Sequence, residues 1–199
     1  MNQITPSSVS TYIVMLSWFL FAGAFFLRRR YPSGPSVKSD RKARFGVLLQ
    51  AAGIAATWIM RRNPQHWFIS ETIDVPLHLL AAVISLLSVW LVMTAINALG
   101  KFWSLSARLV EDHRLITTGP YSLVRHPIYS GLFGLMIATG ICVSSTAGLI
   151  VACGIYLVGF SIRAGREEAL LLSQFGASYE EYRESTPALI PFPTSLRRR

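Results

Sequence analysis

The run Thr118-Gly-Pro-Tyr-Ser-Leu-Val-Arg-His-Pro-Ile-Tyr-Ser-Gly131 places Arg125 and His126 among two tyrosines, Tyr121 and Tyr129. A guanidinium and an imidazole can hold an anion, and tyrosine faces can lie against an aromatic base or a cation. Pro127 suits the first position of a helix, where its missing N–H costs nothing. The backbone N–H groups beyond it, near Ile128 and Tyr129, can then receive an anionic group. After an uncharged stretch from Pro127 to Ile162 comes a second polar group, Arg163 with Glu167 and Glu168. Arg163 and Glu167 are four apart and share a helix face, while Glu168 is turned by about 100°. The bland alternatives are a helix start with interfacial aromatic anchors and a surface ion pair worth well under ~1 kcal/mol. Taken together, the two groups can hold and position a small charged ligand.

The elements that must position them are membrane-sized. Thr11–Leu27, Phe45–Met60 and Val75–Gly100 carry no Asp, Glu, Lys or Arg. Each is close to the roughly 20 apolar residues needed to cross a bilayer. The Pro127–Ile162 stretch reads as a helical hairpin turning near Cys142-Val-Ser-Ser-Thr146, with arms Tyr129–Ile141 and Ala147–Ile162. Glycines 131, 134, 140, 148, 154 and 159 would let these arms approach closely. The expected fold is an all-α integral membrane protein of about five transmembrane helices. Its last two form a tight hairpin, followed by short C-terminal helices. Residues 1–98 supply three spans, 99–193 the functional core and 194–199 a basic tail, within a single membrane domain.

Of 199 residues, 52% are hydrophobic, and the formal net charge is +9. That charge is a topology signal. Arg28–Arg30 with Lys38, Arg41, Lys42 and Arg44, then Lys101, Arg108, Arg114 and Arg125, then Arg163, Arg166, Arg183 and Arg197–Arg199 all fall in alternate connections. Only Arg61 and Arg62 lie between the second and third spans. The positive-inside rule therefore puts the N-terminus outside and the C-terminus in the cytoplasm. Attraction to anionic membrane lipids follows as a secondary effect. Nucleic acid is not an expected partner, because the basic residues border spans without aromatic interleaving. Met1–Ser10 lacks the positive start of a signal peptide. Cys142 and Cys153 read as packing thiols, and no Cys/His spacing suggests a metal site. There is neither a P-loop nor a strand-borne GxGxxG. Ser178-Tyr-Glu-Glu181 has capping-box spacing. Pro187 should end that helix, and Leu189-Ile-Pro-Phe-Pro193 can lie back against the membrane surface.

These segments resemble the isoprenylcysteine carboxyl methyltransferase family and the related membrane phospholipid N-methyltransferases. The resemblance rests on Leu115–Tyr121, Val124–Gly131, Arg163 with Glu167-Glu168, Phe175-Gly176 with Tyr179 and Tyr182, and the closing Leu-Ile-Pro-Phe. It covers roughly 99–193; the N-terminal half is similar only in its spans. The resemblance implies transfer of a methyl group from S-adenosylmethionine, held in a cytoplasm-facing pocket. It implies cofactor contacts at His113, Arg114, Leu115, Ile116, Tyr121, His126, Pro127, Ile128, Tyr129 and Glu167, and an acceptor-side arginine at Arg163, with Arg163 and Glu167 as the catalytic pair. Ser106 stands where some members have glutamine. The implied acceptor is an amphiphilic lipid or lipid-linked molecule. Carboxyl O-methylation of an isoprenylcysteine-like acid leads, with N-methylation of a phosphatidylethanolamine-type lipid as the alternative. A carboxylate acceptor needs no general base, whereas an amine would make Glu167 or Glu168 base candidates. A membrane reductase using a nicotinamide cofactor and a non-catalytic membrane protein complete the alternatives; the chain is short for the first and shows no site for a 2′-phosphate.

Overall fold

The computed structural model describes residues 6–28, 36–39, 43–61, 71–100, 108–110 and 114–191. The uncharged runs become helices α1 (Pro6–Arg28), α2 (Ala43–Ile59) and α3 (Glu71–Leu99), and two more, α4 (Pro127–Val143) and α5 (Thr146–Phe175), follow, with a short α6 (Ala177–Ser185) after them. Three helices are long and apolar enough to cross a membrane, over Ser7–Phe26, Asp74–Leu99 and Thr146–Phe175. The other two apolar helices, α2 and α4, have 17 residues each, which at about 1.5 Å per residue gives ~25 Å, a little under the roughly 30 Å hydrocarbon thickness.

The surface explains why these helices suit lipid. Phe19, Leu48, Ile59, Leu87, Trp90, Ile150 and Val158 are all more than half exposed. Beside apolar residues such as Ile96, Leu135 and Met136, the interior holds small and polar side chains such as Ser17, Gln50, Ser85, Ser88 and Thr139. Without a hydrophobic force between helices in lipid, small residues and interhelical hydrogen bonds carry the packing. Ser17 Oγ donates to Ser85 Oγ at 3.2 Å, tying α1 to α3. Trp18 Nε1 donates to Thr139 Oγ1 at 2.9 Å, tying α1 to α4.

The glycines expected between the arms of the hairpin mostly do other work. A Cβ on Gly131 would stand 2.8 Å from the Ser88 carbonyl oxygen, and one on Gly134 2.2 Å from Ser88 Oγ, so both serve the α4–α3 contact. A Cβ on Gly159 would stand 2.7 Å from the Gly46 carbonyl oxygen on α2. Gly140 alone faces the other arm, at Leu149, and nothing lies near Gly154. Thus α4 packs chiefly on α3 and α5 chiefly on α2. The two arms meet through side chains, with the Phe133 and Tyr156 rings 5.1 Å apart and Tyr156 donating to the Tyr129 carbonyl at 2.8 Å. The turn between them is tighter than expected, because only Ser144 and Ser145 separate the helices; Ser145 Oγ caps α5 by accepting from Gly148 N at 3.1 Å.

Connections meet at each end of the bundle. Residues Ser36–Ser39 (β1) pair antiparallel with Arg108–Val110 (β2), Ser39 opposite Arg108, adding two short strands to a fold expected to be all helical. These runs lack the apolar alternation that signals a strand. At the other end, Ser145 N donates to the Met60 carbonyl at 2.9 Å, and Arg61 bridges Ser144. The capping-box expectation fails for α6: its N-cap is Gly176, at φ +52°, and no side chain caps it. Gly176 also closes α5, so one left-handed residue makes the whole turn.

Candidate active site

The site forms where the start of α4 meets the charged extension of α5. Pro127 opens α4 and is fully buried, and His126 precedes it as an N-cap whose side chain makes no cap hydrogen bond. The first turn of α4 is therefore left without a side-chain cap, and the imidazole is available to its neighbours. His126 is buried between two carboxylates. Its Nε2 lies 3.0 Å from Glu168 Oε1, and its Nδ1 lies 3.7 Å from Glu167 Oε2. The 100° offset between adjacent helical residues lets the glutamate pair straddle the ring.

Tyr129 completes the group one turn on. Its phenol donates to Glu167 Oε1, and its ring stacks on His126 at 5.5 Å with 14° between planes. Phe160 of α5 stands edge-on to both rings, at 5.7 and 6.1 Å. The Arg163 guanidinium lies 4.7 Å from the Tyr129 ring centroid, in cation–π geometry, and its Nε is 3.4 Å from Glu167 Oε1. The Arg163 side chain is only 11% exposed, so its ion pair with Glu167 is partly buried and less screened by solvent and salt than a surface pair. Glu167 thus gathers Tyr129, Arg163 and His126. Glu168 gathers His126 and Arg125, with Arg125 Nε and Nη2 at 3.0 and 2.9 Å from Oε1.

Burial by itself disfavours the charged form of His126, but hydrogen bonds and charge from Glu167 and Glu168 outweigh it and hold its pKa above the ordinary histidine value. Burial pushes the Tyr121 phenol up, and the Glu167 charge adds to that.

Among the expected site residues, the fold thus brings together His126, Tyr129, Arg163 and Glu167. Pro127 opens the helix beneath them. Tyr121 is buried in a short 3-10 turn, its carbonyl accepting from the Tyr182 hydroxyl at 2.6 Å. Ile128 is half-buried and packs between two apolar clusters. Leu115 and Ile116 are half-buried in the irregular approach to the 3-10 turn Gly119–Ser122, and Arg114 is exposed. His113 lies outside the described residues. Two arrangements go beyond the sequence reading. Arg125, read as a ligand-holding guanidinium and a loop cation, is instead taken up by protein acceptors, donating through Nη1 to the carbonyls of Arg183 (2.9 Å) and Thr186 and through Nε and Nη2 to Glu168. The segment after α6 crosses the start of α4: Pro187 and Ala188 carbonyls accept from Arg125 N and His126 N at 2.8 and 3.0 Å. Leu189, the first residue of the stretch 189–193 expected against the membrane surface, enters the core beside Tyr129 and Phe160, while 192 and 193 lie outside the described residues. Carbonyl acceptors leave no mark in a sequence, so only the buried Arg-His pair hinted at this.

Comparison with known proteins bears on this arrangement. The family model described as phospholipid methyltransferase matches residues 76–178, which hold all of α4 and α5 and most of α3. The protein-S-isoprenylcysteine O-methyltransferase of Schizosaccharomyces pombe is 40% identical over 81 residues, covering 41% of this chain and 34% of the relative. Protein-S-isoprenylcysteine O-methyltransferase B of Arabidopsis thaliana is 30% identical over 130 residues, covering 64% of this chain and 62% of the relative. The Saccharomyces cerevisiae protein-S-isoprenylcysteine O-methyltransferase is 37% identical over 82 residues, 41% of this chain and 34% of its own. The chain spans between about a third and three fifths of the length of these relatives. With over half its residues inside the matched region and the polar cluster built mainly by helices within it, the chain belongs to the phospholipid methyltransferase family.

Proposed function

We propose that this protein is an integral membrane methyltransferase that uses S-adenosylmethionine to methylate the carboxylate of an isoprenylcysteine-like or other amphiphilic, lipid-linked acceptor. The observation that carries the reading is the partly buried Arg163, set against Tyr129 and Glu167 at the membrane end of the polar cluster. The relatives named above point to the same acceptor class.

The residues present suit the methyl donor. The first turn of α4, which no N-cap side chain caps, can offer N–H groups at Ile128 and Tyr129 to a carboxylate. Glu167 can pair with an ammonium or a ribose hydroxyl, and the tyrosine faces can pack on a base or a sulfonium. Arg114, Leu115 and Ile116, with His113 before them, would line the approach to this pocket. When bound, the cofactor supplies an activated methyl group on sulfur. The protein's part is alignment. Arg163 holds the acceptor carboxylate, bidentately where its donors allow, and His126 and Glu168 fix the wall against which the donor side rests. Positioning of this kind supplies much of the rate of an in-line displacement. No proton need be removed from a carboxylate at neutral pH.

The proposed membrane arrangement has five crossings, the N-terminus outside and the site and C-terminus in the cytoplasm. It is supported by the basic residues in alternate connections and by the meeting of β1 with β2 at one end of the bundle and of Arg61 with Ser144 at the other. The second reading is N-methylation of a phospholipid amine, favoured by the description of the matching family. Arg163 would then bind the lipid phosphate and Glu167 or Glu168 would take the amine proton. Incubating the purified protein with membrane lipids, prenylated cysteine acids and deuterated-methyl donor separates these. Base-labile label in an acid supports the proposal; base-stable label confined to phospholipid replaces it with the second reading; no transfer to either defeats both.

A further inference from the structure

We infer that Arg125 is a positioning residue, a clasp that holds the segment Thr186–Leu189 across the start of α4 and so keeps the wall of the methyl-donor pocket in place. Its side chain is 9% exposed and touches three elements. Two of its nitrogens meet Glu168 on α5. Another meets the Arg183 carbonyl in the last turn of α6 and the Thr186 carbonyl just beyond. Carbonyls at a helix C-terminus lack partners within the helix and attract a cation, so a single guanidinium caps α6 while neutralising Glu168. Its backbone N–H donates to Pro187, and that of His126 donates to Ala188. Farther along the segment, Ser130 Oγ donates to the Leu189 carbonyl. Glu168 is shared between Arg125 and His126, so a loosened clasp also changes how the imidazole is held. The guanidinium's planar fork of five donors serves a carboxylate and two carbonyls together, a spread that a lysine's three donors on one nitrogen match less well.

The donor-pocket half of this inference rests on the methyltransferase reading; the clasp itself does not. The test uses the full chain in detergent, comparing wild type with Arg125→Gln and Arg125→Lys. Two quantities are read: hydrogen exchange of peptides covering Arg125–Ser130 and Arg183–Leu189, and the calorimetric affinity for S-adenosylmethionine. In Arg125→Gln, exchange at the Arg125 and His126 amides should rise and donor affinity should fall roughly tenfold, as expected for the loss of a charge-assisted contact. The KM for the acceptor should stay as in wild type, and Arg125→Lys should recover only part of the donor affinity. Ser130→Ala, the milder change, should move both readouts in the same direction and stands in if Arg125→Gln does not fold. Unchanged exchange in the folded variants overturns the clasp. Raised exchange with wild-type donor affinity overturns its link to the pocket. A wild type that binds no S-adenosylmethionine defeats the methyltransferase reading and that link, while the exchange result still decides the clasp.

Discussion

Arg163 and Glu167 sit one helical turn apart and touch each other, yet their removal should have different consequences. Arg163 lies over the Tyr129 ring on the side of the cluster nearest the uncharged part of α5. Glu167 joins Tyr129, Arg163 and His126 and so stands at the centre of the proposed donor side. Arg163→Ala should therefore abolish methyl transfer while leaving the calorimetric affinity for S-adenosylmethionine within about threefold of wild type, a change under ~1 kcal/mol. Glu167→Ala should damage both. Near-normal turnover in Arg163→Ala would remove the arginine from the acceptor site. His126 carries a pH dependence of definite sign. Its folded-state pKa is raised by Glu167 and Glu168 against the opposing effect of burial. Its contribution to stability is then complete below the ordinary histidine value of about 6.5 and is lost as pH rises through the raised value. The groups facing it are Glu167, Glu168 and Tyr129, with Arg125 and Arg163 behind the two carboxylates. Thermal unfolding in detergent should show a midpoint that falls toward alkaline pH, and His126→Gln should flatten that fall. An unchanged pH profile in the variant would show that the imidazolium is not what these carboxylates stabilise.

At the scale of elements, charge-free runs located the helices well but said little about which pairs would touch. Pro127 and the charge boundary near Arg163 were legible because proline placement and uncharged length act locally. The partner of each glycine was not, because close approach depends on the neighbouring helix. Gly46, Gln50 and Gly53 fall on one face of α2 by helical spacing. Cβ atoms at the two glycines would come within 2.7 Å of the Gly159 carbonyl oxygen and 2.9 Å of the Ala152 carbonyl oxygen on α5. Backbone cannot step aside as a flexible side chain can, so overpacking here should be expensive. Gly159→Leu should lower stability by about 1–3 kcal/mol and reduce activity by moving Arg163, one turn away on the same helix. Gly154→Leu, where nothing lies within 4 Å, should leave the unfolding midpoint near wild type. Equal effects from the two substitutions would mean that α2 and α5 do not pack as described. The site was legible to the same degree and for the same reason. The sequence order of His126, Tyr129, Arg163 and Glu167 already implied one cluster, whereas the carbonyls that anchor Arg125 belong to a segment with no distinguishing side chains.

The whole molecule makes a claim that its individual helices cannot. Two are shorter than a full hydrocarbon crossing, so length leaves the number of spans between three and five. The contacts between connections fit the proposed five crossings. If α1, α2, α3, α4 and α5 all cross, the α1–α2 and α3–α4 connections lie on one side and the α2–α3 and α4–α5 connections on the other. The β1–β2 pairing joins the first two, and the contact of Met60 and Arg61 with Ser144 and Ser145 joins the second two. Backbone groups of such connections need water or protein partners, which they find at the interfaces and not in lipid. In the proposed arrangement, the basic residues put the β1–β2 end in the cytoplasm. Single cysteines placed at Ser39, Arg61, Thr146 and Ser178, in a chain whose Cys142 and Cys153 are replaced by serine, test this in intact cells with a membrane-impermeant thiol reagent. Positions 61 and 146 should label from outside, and 39 and 178 only after permeabilisation. Labelling of 39 and 61 from the same side would show that α2 does not cross. Labelling of 178 alone from outside would place the polar cluster at the outer face, where a methyl donor made in the cytoplasm would not reach it.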